Sequence, residues 1–173
     1  MKKKKFIISS SIDLLVPPKK NKCIFLGEWC FVNLDKSKIK KKNLKILEHR
    51  WKDFKKLKND YLYIQKVFIE ISKDLNSFFN KTHNKNYSQK YWQQIYGNWL
   101  IHFIVFTLDK YNTIKSIPKE KSLHSYHIET SDCLVPKTSL DAYYLFQNEY
   151  FNHRFFSKII NLLRPDVKFL KKK

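Results

Sequence analysis

The chain is predicted to adopt an α/β fold, a small and mostly parallel sheet with long packed helices, and three observations predict it. Short apolar runs of strand length stand near the N-terminus and end at turn residues. From Phe54 the apolar spacing changes to three and four residues, the period of a helix. A second helical stretch follows, and then another strand-like run begins at His124.

Lys5 to Ser9 reads as a buried strand, and a loop through Pro17 and Pro18 leads to a second run, Cys23 to Leu26, closed by Gly27. Lys36 to Lys42 reads as a solvated loop, and Leu44 to Leu47 as a third strand running into His49-Arg50-Trp51. Phe54, Leu57, Tyr61, Ile64, Phe68, Ile71, Leu75 and Phe78 then make one continuous stripe on a helix about 40 Å long. Asp53 is placed to cap it, because its carboxylate can accept from the unpaired N–H groups of the first turn. The stripe reads as a packing face against a sheet or a second helix, with a homomeric coiled coil as the alternative that its spacing permits.

Thr82 to Tyr87 is a polar break, after which Ser88 caps a second helix extending to about Tyr111. Tyr91, Ile95, Trp99, Phe103 and Phe106 are expected along one face, with Trp92 and His102 flanking it. Gly97 in the helix interior costs about 1 kcal/mol relative to alanine, and close approach of another backbone is the expected compensation. After a turn at Pro118 come a strand from His124 to Glu129, a loop from Asp132 to Pro136, and two helices, Ser139 to Glu149 and Phe151 to Leu163. The expected organisation is one domain over residues 1–164 and a lysine-rich tail over 165–173, with no internal repeat.

Composition narrows the chemistry. The 173 residues carry a net charge of +20, but the 35 basic residues include only three arginines, Arg50, Arg154 and Arg164. Lysine is a hydrated point charge, whereas readers of bases and phosphates rely on the planar guanidinium fork. The scattered lysines therefore read as compositional bias and argue against nucleic-acid recognition, although the charge keeps that reading open. Glycine is confined to Gly27 and Gly97. Glycine-rich pyrophosphate cradles need several glycines to bring backbone N–H groups onto the phosphates, so no such loop is encoded in these residues.

Cys23, Cys30 and Cys133 form no CxxC pair, and the apolar run after Lys5 gives way to Ser9–Ser11 and Asp13 too soon for an export signal. A reducing, cytoplasmic setting is expected. The stretch from Trp99 to Leu108 is too short to span a bilayer, while lysine clusters could hold the protein peripherally at an anionic membrane face.

Two polar-aromatic clusters carry the candidate chemistry. Gly27-Glu28-Trp29-Cys30 and His49-Arg50-Trp51-Lys52-Asp53 each follow a predicted strand, and ligands of open α/β sheets gather beyond the carboxyl ends of strands. If they face one cleft, Trp29 and Trp51 can stack on sugar rings, Arg50 can hold polar groups, and Glu28, His49 or Asp53 can act as general base on a hydroxyl. The bland alternative makes the tryptophans core and the acids helix caps. Cys30 reads as a structural thiol. Trp92 and His102 are candidate pocket residues against a core alternative, and Asn152 and His153 begin a helix whose N–H groups could receive an anionic group. His124 and His127 are expected on opposite faces of a strand, which argues against a shared metal, and no metal ligand is assigned.

The succession Phe25-Leu26-Gly27-Glu28-Trp29-Cys30, His49-Arg50-Trp51-Lys52-Asp53, Leu57-Lys58-Asn59-Asp60-Tyr61, Asn86-Tyr87-Ser88 with Tyr91-Trp92, and Gly97-Asn98-Trp99-Leu100 resembles the N-terminal part of a group of bacterial transferases from surface-polysaccharide and O-antigen gene clusters. Phe151-Asn152-His153 resembles a later segment of the same group. The resemblance implies a glycosyltransferase-like architecture of two Rossmann-like halves, of which this chain is the N-terminal, acceptor-side one. It further implies a saccharide acceptor, a downstream C-terminal half as partner, and a nucleotide-sugar donor bound on that half, with no cofactor in this segment. Lys52 departs from the acid the group tends to have after tryptophan, and the end at Lys173 implies a truncated or split product that is inactive alone. The alternatives are a non-enzymatic lysine-rich module for nucleic acid or an anionic surface, and an inactive remnant.

Overall fold

The computed structural model describes residues 4–35, 37, 43–120, 122–128 and 136–171. Most of the Lys36–Lys42 loop, Glu129, and the Asp132–Pro136 loop up to residue 135 with Cys133 lie outside the described residues. The chain divides into two compact units, residues 1–49 with 110–173, and Arg50–Asp109.

The first unit is built on five parallel strands, β1 (Lys5–Ile8), β2 (Lys22–Phe25), β3 (Leu44–Ile46), β4 (Leu123–His127) and β5 (Lys168–Lys171), in the order β3-β2-β1-β4-β5. This is a small Rossmann-like α/β sheet, and its strand order reverses direction between β1 and β4. Phe6, Ile7 and Ile8 of β1 and Cys23, Ile24 and Phe25 of β2 are all buried, as central parallel strands covered on both faces require. Phe6 pairs in register with Cys23 on one side and His124 on the other.

Between β4 and β5 run α3 (Ser139–Gln147) and α4 (Glu149–Leu163). A capping box of Thr138 and Asp141 starts α3, and the Asn148 side chain accepts from Phe151 N at 3.0 Å to start α4. His153, Phe156, Ser157, Ile159 and Ile160 form the buried stripe of α4, and Phe156 and Ile160 join the sheet core. Burying a side chain of that size contributes about 2–3 kcal/mol. Arg164 ends α4 by donating to the carbonyls of Ile117 and Pro118 while pairing with Asp166, which ties the helix end to the segment ahead of β4.

The second unit is a helical hairpin inserted between β3 and β4. Its helices are α1 (Phe54–His83) and α2 (Gln89–Lys115), whose last residues, from Lys110, belong to the first unit. Ile64, Trp92, Tyr96, Leu100 and Ile104 form its core, supported by Phe68, Leu75 and Phe79. The polar ends of the buried aromatics are satisfied within the hairpin: Trp92 Nε1 donates to Asn80 Oδ1 at 2.8 Å and Tyr96 OH to the Ser72 carbonyl at 3.1 Å.

Four expectations are corrected. Residues 168–171, read as part of a lysine-rich tail, are the fifth strand, paired in parallel with β4, with Lys168 and Lys171 exposed and Phe169 and Leu170 half-buried. The buried face of α2 runs through Trp92, Tyr96, Leu100 and Ile104, so Tyr91 and Ile95 are exposed. The α1 stripe is buried only from Ile64 onward; Phe54, Leu57 and Tyr61 are exposed, and Phe79 packs in place of Phe78. Among the described residues no backbone of another element comes within 4 Å of a Cβ added at Gly97, which would meet Phe68 Cζ at 3.7 Å and Gln93 Cβ at 3.8 Å, ordinary contact distances.

Candidate functional site

In the first unit the chemistry-bearing side chains gather at the carboxyl ends of the strands. Beyond β1 stand Ser9, Ser10 and Ser11, all buried. Ser9 Oγ shares a 2.7 Å hydrogen bond with His153 Nδ1, and Ser11 N donates to Glu149 Oε2 at 2.8 Å. Glu149 and His153 lie four apart on α4, so one helix face supplies both partners. Asn33 Nδ2 donates to Ser11 Oγ at 3.2 Å from the segment after β2. Glu149 is only partly buried, and its charge reaches Cys30 at the end of β2. The cluster thus spans the ends of β1 and β2 next to the point where strand order reverses.

Among the described residues, three buried polar atoms here have no hydrogen-bond partner, Ser10 Oγ, Ser125 Oγ and His153 Nε2. Strand alternation from the Phe6–His124 pair puts Ser9, Ser125 and His127 on the sheet face that α4 covers. Burial holds the His153 imidazole neutral and lowers its pKa to about 4; the nearby Tyr126 carbonyl acts in the opposite sense and His127 in the same one. His124 is buried on the other face against Phe6, and His127 is exposed at the strand end.

Beyond β2, Glu28, Trp29, Cys30 and Phe31 form a single 3-10 turn that follows Gly27. The indole of Trp29 lies over Gly27 so closely that a Cβ there would overlap the ring. Gly27 has an extended backbone with φ 178, which any residue adopts, so the requirement for glycine is purely one of space. Trp29 packs edge-on against His49, 6.4 Å between ring centroids, which joins the ends of β2 and β3. Glu28 is exposed on the same turn. Burial pushes the Cys30 thiol up to about 12 while its Sγ donates to the Ile8 carbonyl, so it is a structural thiol and no nucleophile.

The other residues singled out by sequence have separate surroundings. Arg50, Trp51 and Asp53 belong to the second unit, where Arg50 Nε and NH2 donate to Asp60 at 2.7 and 3.0 Å and Trp51 Nε1 to the same carboxylate at 3.0 Å. The Arg50 hydrogen bond holds the Asp60 carboxyl below its ordinary range, with Trp51 adding to the effect. Asp53 caps α1 by accepting from Lys55 N and Lys56 N, at 3.0 and 3.2 Å. Trp92 is core, and His102 is exposed on α2. Asn152 donates to the carbonyls of Phe146 and Asn148, which fixes the junction of α3 and α4.

The sequence reading missed Ser9–Ser11 and Glu149. The available signals were a serine run directly after a buried strand and an acid four residues ahead of a histidine on an amphipathic helix. Among the described residues no group of three His, Cys, Asp or Glu side chains is arranged to hold a metal ion, and no helix is long and apolar enough to cross a membrane.

The chain matches no curated protein and no solved structure. Residues 5–173 match the family model of the LIC12162 family transferases, and the chain belongs to that transferase family.

Proposed function

We propose that the chain is the acceptor-side portion of a sugar transferase for cell-surface polysaccharide or O-antigen synthesis. The observation that carries the reading is the Trp29 indole, seated over Gly27 and against His49 at the carboxyl edge of the parallel sheet, with the Glu149 carboxylate serving the same edge. An indole face stacks on a pyranose ring, and carboxylates accept hydrogen bonds from its hydroxyl groups. Glu28, His49 and Glu149 are the candidate bases: one takes the proton of the acceptor hydroxyl as its oxygen attacks the anomeric carbon and the nucleotide departs. Asp53, Arg50 and Trp51 serve by fixing the start of α1, and His153 by fixing Ser9.

With Gly27 and Gly97 the only glycines, the activated donor is held by residues outside this chain, on a downstream Rossmann-like half that acts as partner. The setting proposed is the cytoplasm.

The test is saturation-transfer NMR on the chain with a panel of methyl glycosides. The reading expects contacts to at least one glycoside that are lost in Trp29→Leu and kept in Trp92→Phe. Contacts that survive Trp29→Leu unchanged, or none with any glycoside, would refute it. Glycosyl transfer appearing only on addition of the downstream polypeptide would support the split of roles, and transfer by the chain alone would overturn it.

A further inference from the structure

One face of α1 sets exposed apolar side chains among lysines. Lys55, Lys58, Leu62, Lys66, Ile69 and Lys73 follow one another at three- and four-residue intervals, so at 100° per residue they share one side of the helix. All six are exposed, Leu62 at 54% and Ile69 at 51%, and none is acidic. Lys66 lies 3.9 Å from Glu70, an exposed pair one helical turn apart. The face is about 27 Å long at 1.5 Å per residue, and the opposite face of α1 packs on α2. Ile69 also borders a groove of about 660 Å³ between the two helices, lined by Phe68, Gly97, Ile101 and Val105.

We propose that this face docks the protein on the surface of an anionic lipid bilayer. A duplex or other polyanion needs only the lysines; apolar side chains exposed between them fit a surface that is anionic outside and apolar beneath. Lysine stems lie along the apolar layer with their ammonium groups among the headgroups, while Leu62 and Ile69 enter the acyl boundary. The helix then lies in the plane of the surface and crosses nothing. The inference is independent of the sugar-transferase reading, because it concerns only the helical hairpin.

Sedimentation of the full chain with vesicles tests it, comparing pure phosphatidylcholine with an equimolar mixture containing phosphatidylglycerol, at low and high salt. Binding is expected to the mixed vesicles, falling with salt. Replacing Lys55, Lys66 and Lys73 with Gln weakens it about fivefold per lysine, on the order of a hundredfold together. Leu62→Gln with Ile69→Gln weakens it about tenfold and leaves the salt dependence unchanged. As a control, Lys19→Gln, Lys22→Gln and Lys45→Gln remove the same charge from the first unit and change binding less than about threefold. These positions are all exposed, and circular dichroism verifies that each variant keeps its helices. Absence of binding, an equal loss in the control, or indifference to the apolar pair would overturn the proposal. Two other results would do the same: duplex DNA bound more tightly than the vesicles and unaffected by the apolar pair, or a dimer dissociated by that pair.

Discussion

His153 is buried to 3% exposure and its pKa falls from 6.5 to about 4, so acid should destabilise the protein through this one ring. The unfolded chain takes up a proton at its imidazole as pH falls below about 6.5, whereas the folded chain resists until about 4, so stability is lost as pH falls across that window. The full difference is about 3 kcal/mol, and about 2 kcal/mol of it is lost by pH 5. The groups facing the ring are Ser9, the Tyr126 carbonyl and His127, and none replaces the lost hydration of a charged imidazolium. Urea unfolding followed by tryptophan fluorescence at pH 7.5 and pH 5 measures the effect, with His153→Asn as comparison. Asparagine can keep a partner for Ser9 and does not titrate, so the variant is expected to lose about 2 kcal/mol less than the parent between the two pH values, whatever its own stability. Equal losses in the two proteins, or an NMR titration of the His153 ring near 6.5, would refute the reasoning.

Three further substitutions discriminate packing from backbone effects. Gly27→Ala forces the Trp29 indole off its seat without straining the backbone, and is expected to cost about 1–3 kcal/mol and to change the near-ultraviolet circular dichroism; an unchanged spectrum would contradict the packing described. Gly97→Ala is expected to raise stability by about 1 kcal/mol, because its Cβ fits at ordinary distance and the helix gains propensity; a lower thermal midpoint would show that the space is not there. Asp60→Ala removes the acceptor shared by Arg50 and Trp51 and is expected to cost on the order of 1–2 kcal/mol in chemical denaturation, with no measurable change expected in the control Asp74→Ala.

What was legible in the sequence was what local periodicity encodes. β1 and β2 are continuous apolar runs, α1 announces itself by spacing and by its Asp53 cap, and Ser88 caps α2 through a 3.2 Å bond from Tyr91 N. The orientation of α2 was not legible, because Tyr91 with Ile95 and Trp92 with Tyr96 offer the same spacing. The second pair wins where Asn80 and the Ser72 carbonyl receive the indole and phenol groups, partners that only the folded hairpin supplies. β5 was hidden by its flanking lysines, which an edge strand tolerates and even favours.

The same division holds at the candidate site. Trp29 and His49 follow neighbouring strands, so their meeting could be read from two clusters at strand ends. Glu149 with Ser11 and His153 with Ser9 join residues 138 and 144 positions apart, and only the packing of α4 on the sheet brings them together.

Amide chemical-shift mapping of the chain during titration with a methyl glycoside tests the central claim most directly. An acceptor at the carboxyl edge of the sheet shifts Ser9 to Ser11, Gly27 to Trp29, His49 and Glu149. Shifts confined to the α1–α2 hairpin, or absent throughout at saturating glycoside, would contradict it.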